Sequence, residues 1–276
     1  GLSSSYHAER SSKHRIPLQM IKKPHQAYTR KEKSDIIYGI HSVKEAVEAK
    51  REINKILIQK GISKEGFEEI RTFLTGNDYV VQYVPIQKLS QLTSGNHQGI
   101  VAYVSPIEYQ QIEELAEQWL EAGVKPFILA LDRITDVRNF GAIARTAECM
   151  GIHAILIPTK GSALVTADAV KASSGALNRI AVCKTDQFKN TLFHLQQLGI
   201  RIAAVTEKTK VAIDGANLRG SIVLVMGSEE DGITQDILNM ADLRVTIPME
   251  GTTSSLNVGV AAGIAMFEKT RQEKNR

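Results

Sequence analysis

The chain has 276 residues, 34 Lys/Arg against 30 Asp/Glu, a formal net charge of +4 and ordinary apolar content. No apolar run approaches the roughly 20 residues that cross a membrane, and the N-terminus is polar and charged, so no signal peptide is expected. Cys149 and Cys183 form no C-x-x-C pair, and neither they nor the seven histidines stand at metal-ligand spacing, which excludes a zinc scaffold and predicts a reducing, cytoplasmic setting.

Charge is unevenly placed. Residues 1–34 hold eight Lys/Arg and two Asp/Glu, a basic, apolar-poor tail suited either to an acidic partner such as nucleic acid or to a solubilising leader. From about residue 36 to 105 the pattern alternates HSVKEAVEAK (helical), INKILIQ (strand), KEGFEEIRTFLTG (helical), YVVQYV (strand), IQKLSQLTSG (helical) and GIVAYV (strand). Gly76 and Gly95 stand where helices should stop. This α/β block is near neutral, with eight Lys/Arg and eight Asp/Glu over residues 35–105. IEELAEQWLEAG, within residues 106–125, predicts an acidic amphipathic helix that links the blocks or packs between them.

The second block, residues 126–276, repeats short β-rich apolar runs: FILALD, HAILIP, RIAVCK, IRIAAVT, SIVLVMG and LRVTIPM. Helical stretches separate several of them, so the expected fold is α/β, a buried parallel sheet with helices on both faces. Ligands gather at the carboxyl ends of such strands. The common nucleotide loops, G-x-x-x-x-G-K-[ST] and G-x-G-x-x-G, are missing. The strand exits carry other residues: Asn139 and Gly141 after FILALD, GSEEDG (227–232) after SIVLVM, and PMEGTTSSLN (248–257) after LRVTI.

In NFGAIARTAECMG (139–151), Ile143, Ala147 and Met150 recur at helical spacing as one buried stripe. Arg145 falls outside it, among the small neighbours Gly141, Ala142 and Cys149; a surface pair with Glu148 is the plain alternative. Gly227, at a strand exit, would let a ligand approach the main chain, with Glu229 as a fixed acceptor beyond it. Ser255 is the predicted N-cap of the last helix, and Asn257 falls inside its first turn, where its helix propensity is mediocre.

Together these segments resemble the SpoU/TrmH branch of the SPOUT RNA 2′-O-ribose methyltransferases. N-x-G-x-x-x-R stands as Asn139, Gly141 and Arg145. G-x-E-x-x-G stands as Gly227, Glu229 and Gly232. I-P-M-x-G-x-x-x-S-L-N-V stands as Ile247, Pro248, Met249, Gly251, Ser255, Leu256, Asn257 and Val258. YGIHSVKEAV and NHQGIVAYV resemble the accessory domain, similar to ribosomal protein L30e, of members that modify large-subunit ribosomal RNA.

The resemblance implies a C-terminal α/β knot (a trefoil) behind a small L30e-like RNA-binding domain, S-adenosylmethionine as cofactor, no metal, and a homodimer with the active site at its interface. It also implies cofactor contacts from Thr206, Gly227, Ile247, Met249, Leu256 and Asn257. Asn139, Arg145, Glu229, Ser255 and Asn257 are the candidate catalytic residues. A guanidinium is effectively always protonated, so Arg145 is expected to grip a phosphate beside the target ribose, with Asn139 and Glu229 holding Arg145 or the hydroxyl. Transfer RNA as substrate, and a silent ribosome-assembly factor, are the alternatives.

Overall fold

The computed structural model describes residues 35–275, so the basic tail lies outside the described residues. The first block is built on β1 (Ile36–Tyr38), β2 (Ile53–Gln59), β3 (Val81–Val84) and β4 (Ile100–Val104), in the order β1-β4-β2-β3. β2 is parallel to β3 and antiparallel to β4; β1 is antiparallel to β4. Helices α1 (Ile40–Glu48) and α2 (Lys64–Leu74) cover one face and α3 (Ile86–Leu92) the other. Gly76 takes the left-handed conformation just past α2, as a helix stop requires. Gly95 has a different reason. It lies beyond the end of α3, and a Cβ there would run into the ring of Tyr38 on β1, a strand of three residues too short to show a period.

The second block is one six-stranded parallel sheet of β5 (Phe127–Asp132), β6 (Ala154–Pro158), β7 (Ala181–Thr185), β8 (Arg201–Val205), β9 (Ile222–Gly227) and β10 (Leu243–Val245). Its order is β10-β8-β9-β5-β6-β7. Strand side chains alternate between two cores. Leu129 and Leu131 pack under α5 (Val137–Cys149), α6 (Ala167–Ala172) and α9 (Val258–Lys274). Ile128 and Ala130 pack under α4 (Ile112–Glu121), α7 (Phe188–Gln197) and α8 (Gln235–Met240). The helix expected as a linker, α4, therefore belongs to this sheet, burying Ile112, Leu115, Ala116 and Trp119 on it.

Polar bonds tie the two blocks together. Buried Asn54 donates from Nδ2 to the Val165 carbonyl (2.8 Å) and accepts at Oδ1 from the Tyr109 hydroxyl (2.7 Å). The Asp35 carboxylate accepts from the Ala167 N–H (3.2 Å) at the start of α6.

After β7 the chain crosses back past β5, lays down β8, and then inserts β9 between β8 and β5. The order thus reverses between β5 and β9, and the carboxyl ends of those strands stand at the switch point, where the crevice of an open α/β sheet commonly holds ligands. Thr246, just past β10, is laced to the segment after β8: it donates to the Val211 carbonyl and accepts from the Ile213 N–H.

Candidate active site

Three chain segments meet at that crevice, each brought there by a strand. Beyond β5, Asp136 caps α5 by accepting from the Asn139 N–H (2.8 Å), which sets Asn139 in the first turn. Phe140, Ile143, Ala144 and Ala147 are buried and hold α5 on the sheet. Beyond β9 comes the turn of residues 228–234, and beyond β10 the loop that leads into α9.

Asn257 joins all three. Its Nδ2 donates to Asn139 Oδ1 (3.2 Å) and to Glu229 Oε1 (3.0 Å). Its Oδ1 accepts from the N–H groups of Gly259 (2.9 Å) and Val260 (3.2 Å). Asn257, and not Ser255, is thus the N-cap of α9. An asparagine caps well because its carbonyl reaches the open donors of the first turn, and here its amide is still free to bind two motif partners. Glu229 Oε1 also accepts from the Val258 N–H (3.1 Å), so its charge sits at the positive end of the 17-residue α9. Ser255 is exposed and makes no hydrogen bond among the described residues.

The turn that carries Glu229 is fastened by residues outside the three motifs. Asp132 closes β5 with a nearly buried carboxylate; its Oδ2 accepts from both the N–H and the hydroxyl of Thr234 (2.7 Å each). Arg133, at φ +64°, pairs with Asp132 (3.2 Å) and donates to the Gly232 carbonyl (3.3 Å). A carboxylate closing an otherwise apolar strand, as in FILALD, is the signal the sequence offers for them, since a buried acid must find donors. Gly227 also answers to this turn. A Cβ there would collide with the main chain of Gly232 and Ile233, so its glycine is required by the turn folding back, and not only by any ligand.

Arg145 does not join the cluster. It lies six residues beyond Asn139 on α5, so its side chain leaves another side of the helix. It is exposed, with no ion pair or hydrogen bond among the described residues. The alternative pairing with Glu148 is not formed; Glu148 faces Arg179 at 3.8 Å. Of the two partners expected for Asn139 and Glu229, Arg145 or the hydroxyl, Arg145 is not in contact with them; within the described residues both hold Asn257. The small neighbours also divide. Ala142 and Cys149 are exposed beside Arg145, whereas Gly141 is buried because a Cβ would stand 2.6 Å from the Ala172 Cβ of α6.

The expected cofactor residues line the exits of three neighbouring strands. Thr206 lies just past β8, and its N–H donates to the Val245 carbonyl of β10 (2.8 Å). Ile247 and Leu256 are half-buried, and Met249 is 41% exposed. Among the described residues the main chain from Ile247 to Leu256 makes no hydrogen bond.

Residues 126–267 match the SpoU rRNA methylase family, and residues 36–110 match the family described as RNA 2′-O ribose methyltransferase substrate binding. The chain is 36% identical over 239 residues to a Staphylococcus aureus protein assigned to the TrmH tRNA/rRNA methyltransferase family, spanning 86% of this chain and 96% of that one. A Staphylococcus epidermidis counterpart is 34% identical over 237 residues, 86% and 95% of the two chains. Among solved structures, a TrmH-family protein from Porphyromonas gingivalis superposes with TM-score 0.52 at 25% identity, covering 87% of this chain and 90% of its own. An AdoMet-bound rRNA methyltransferase from Sinorhizobium meliloti shares the fold with TM-score 0.54 at 22% identity, covering 86% of each.

Proposed function

This chain belongs to the SpoU family of RNA methyltransferases, and from that premise we propose that it methylates a ribose 2′-hydroxyl of large-subunit ribosomal RNA, using S-adenosylmethionine, as a homodimer. The observation that carries the reading is the Asn139–Glu229–Asn257 cluster at the β5–β9 crevice, the point where this sheet would hold a ligand.

The residues present fit the cofactor. Unpaired main-chain donors and acceptors need partners when partly buried, and those of Ile247 and Leu256 suit an adenosine read through the backbone. Met249 supplies an apolar wall, with Gly227 and Thr206 at the adjoining strand exits. When bound, S-adenosylmethionine supplies an electrophilic sulfonium methyl and a neutral thioether leaving group.

What the chain must add is alignment of a weak nucleophile, for which positioning alone contributes about 7–11 kcal/mol. Glu229 Oε1 is already engaged by Asn257 and Val258, while Oε2 makes no hydrogen bond among the described residues. That oxygen is the acceptor for the 2′-hydroxyl proton, and Asn257 and Asn139 hold it in place. Arg145, permanently charged and without a partner among the described residues, offers a bidentate fork for the neighbouring phosphate. Ser255 contributes a hydroxyl from the open loop.

Two further observations support the assembly and the substrate. Val260, Ile264 and Phe267 form an exposed apolar stripe on α9, 52%, 39% and 57% exposed. α9 packs on α5 through Gly259 and Gly263, which face Ile143 and Thr146. A second copy covering the stripe would therefore reach the helix pair that carries Arg145. The substrate-binding block, on residues 36–110, resembles the accessory domain of members that modify ribosomal RNA, and on that resemblance we take ribosomal over transfer RNA.

Tritium transfer from labelled S-adenosylmethionine to bulk ribosomal RNA and, separately, to bulk transfer RNA tests the proposal. Label in ribosomal RNA that maps to a 2′-O-methyl nucleotide is expected. Label confined to transfer RNA would overturn the substrate, and label in neither would overturn the function.

A further inference from the structure

The two blocks keep their apolar cores apart. Those on the four-stranded sheet draw on residues 36–103, and those on the six-stranded sheet on residues 107–266. No apolar cluster spans the joint among the described residues, and hydrogen bonds mark it instead. The chain crosses between Ser105 and Tyr109. The Ser105 N–H still donates to the Glu52 carbonyl of the first block (2.8 Å). Tyr109 already packs on the second block's core, and the next N–H, of Gln110, donates to the Val182 carbonyl of β7 (2.9 Å).

Asn54 closes the joint a second time. It is the extra residue of a β-bulge: Ile53 and Lys55, two apart on β2, stand opposite Val104 and Tyr103, adjacent on β4. Bulges re-aim a side chain, and this one sends the Asn54 amide, 1% exposed, to two places on the second block at once, the Val165 carbonyl and the Tyr109 hydroxyl. An amide is suited to this because it donates and accepts from one end. A buried polar group with every bond made specifies one arrangement, where apolar contact would permit several.

That arrangement runs on to the candidate active site. Val165 leads into Thr166, the N-cap of α6, and Asp35 of the first block holds the Ala167 N–H there. α6 lies against α5 at Gly141, where the Ala172 Cβ leaves no room for a side chain. α5 carries Asn139 and Arg145. We propose that Asn54 is a positioning residue for methyl transfer: by fixing the substrate-binding block on the α6–α5 pair, it sets where RNA held by that block meets the Asn139–Glu229–Asn257 cluster. The inference rests on the RNA methyltransferase reading and on the match of residues 36–110 to the substrate-binding family. Alignment is what this reaction needs from the protein, and a misplacement of about 1 Å can cost about 10²-fold in rate.

The test compares the full chain with Asn54→Leu, which removes both bonds, and Tyr109→Phe, which removes one and keeps the buried ring. Single-turnover methyl transfer at saturating ribosomal RNA should fall about tenfold in Asn54→Leu and about threefold in Tyr109→Phe, with S-adenosylmethionine affinity by calorimetry within about twofold of wild type. The double variant should be no slower than Asn54→Leu, since both changes act on one pair of bonds. Hydrogen exchange read by mass spectrometry should quicken over residues 164–168 in Asn54→Leu and stay unchanged in β5 and β9. Quickened exchange confined to β2, with a saturating rate like that of wild type, would make Asn54 structural and overturn the inference. Tyr109→Phe carries the same prediction should Asn54→Leu fail to fold, and a wild-type saturating rate in Tyr109→Phe would then overturn it. Either result leaves the methyltransferase reading intact, whereas a wild-type chain that methylates no RNA would overturn that reading and the inference with it.

Discussion

The turn of residues 228–234 is held by Asp132, Arg133 and its own Ser228–Gly232 bond, whereas residues 247–256, at the same crevice, make no main-chain hydrogen bond among the described residues. The first arrives preformed: its acceptor, Glu229, is set before any ligand enters. The second has only its ends fixed, by Thr246 at one and by the Asn257 cap at the other. On the proposed reading, the acceptor Glu229 is held in place by the chain itself, and the loop's free main-chain groups are left for the cofactor.

Glycine substitutions separate the two segments most sharply. Gly227→Ala drives a Cβ into the main chain of Gly232 and Ile233; overpacking of this kind costs about 2 kcal/mol, and methyl transfer should be abolished with the displaced turn. Gly251→Ala meets nothing within 4 Å and should change stability by less than about 0.5 kcal/mol. Denaturant unfolding of both variants checks the contrast; equal losses would break it.

Asn257→Ala removes the contact between the two segments. Loss of the cap should cost about 1 kcal/mol, while the freed Glu229 should lower kcat by about 10²-fold, the scale of a small misplacement. Single-turnover methylation beside a melting curve separates the two effects. A kcat that falls no further than the lost stability explains would reduce the cluster to a helix cap.

The smallest effect lies at the far end of α9. Hydrogen bonds from Arg271, then Gln272, hold the Glu268 carboxyl down at about 2. A depressed carboxylate stabilises the fold above its ordinary value near 4.5, and that contribution fades as pH falls toward 2. Glu268→Gln should therefore lower the Tm at neutral pH and flatten its decline between about pH 4.5 and 2. An unchanged acid limb would show that α9 is not anchored there.

Much of this architecture is legible in the sequence. The six runs from FILALD to LRVTIPM are legible as strands of one sheet because they are short, largely apolar stretches set between helices, with exposed Arg244 only on the edge strand β10. Motifs alone pick out Asn139, Glu229 and Asn257, and their convergence follows from three strand exits at one edge. Pairing is the part that stays hidden. Asn257 reads as a residue inside the helix because nothing local shows that the helix starts one residue later. Gly227 reads as room for a ligand and Gly141 as a small neighbour of Arg145, because only the fold shows which chain approaches them. The acid that closes FILALD marks Asp132 as a group in need of donors but does not name them, because its partner, Thr234, is 102 residues away.

Arg145 is where the account is most exposed, since it has no partner among the described residues and is assigned to the RNA phosphate. Arg145→Ala and Arg145→Lys, assayed by tritium transfer to ribosomal RNA with calorimetry of S-adenosylmethionine alongside, test it directly. The account predicts methyl transfer reduced about 10²-fold in Arg145→Ala, little recovery in Arg145→Lys, which lacks the fork, and unchanged cofactor affinity in both. Near-full transfer by Arg145→Lys would contradict the phosphate clamp, and loss of cofactor binding in Arg145→Ala would make the residue structural.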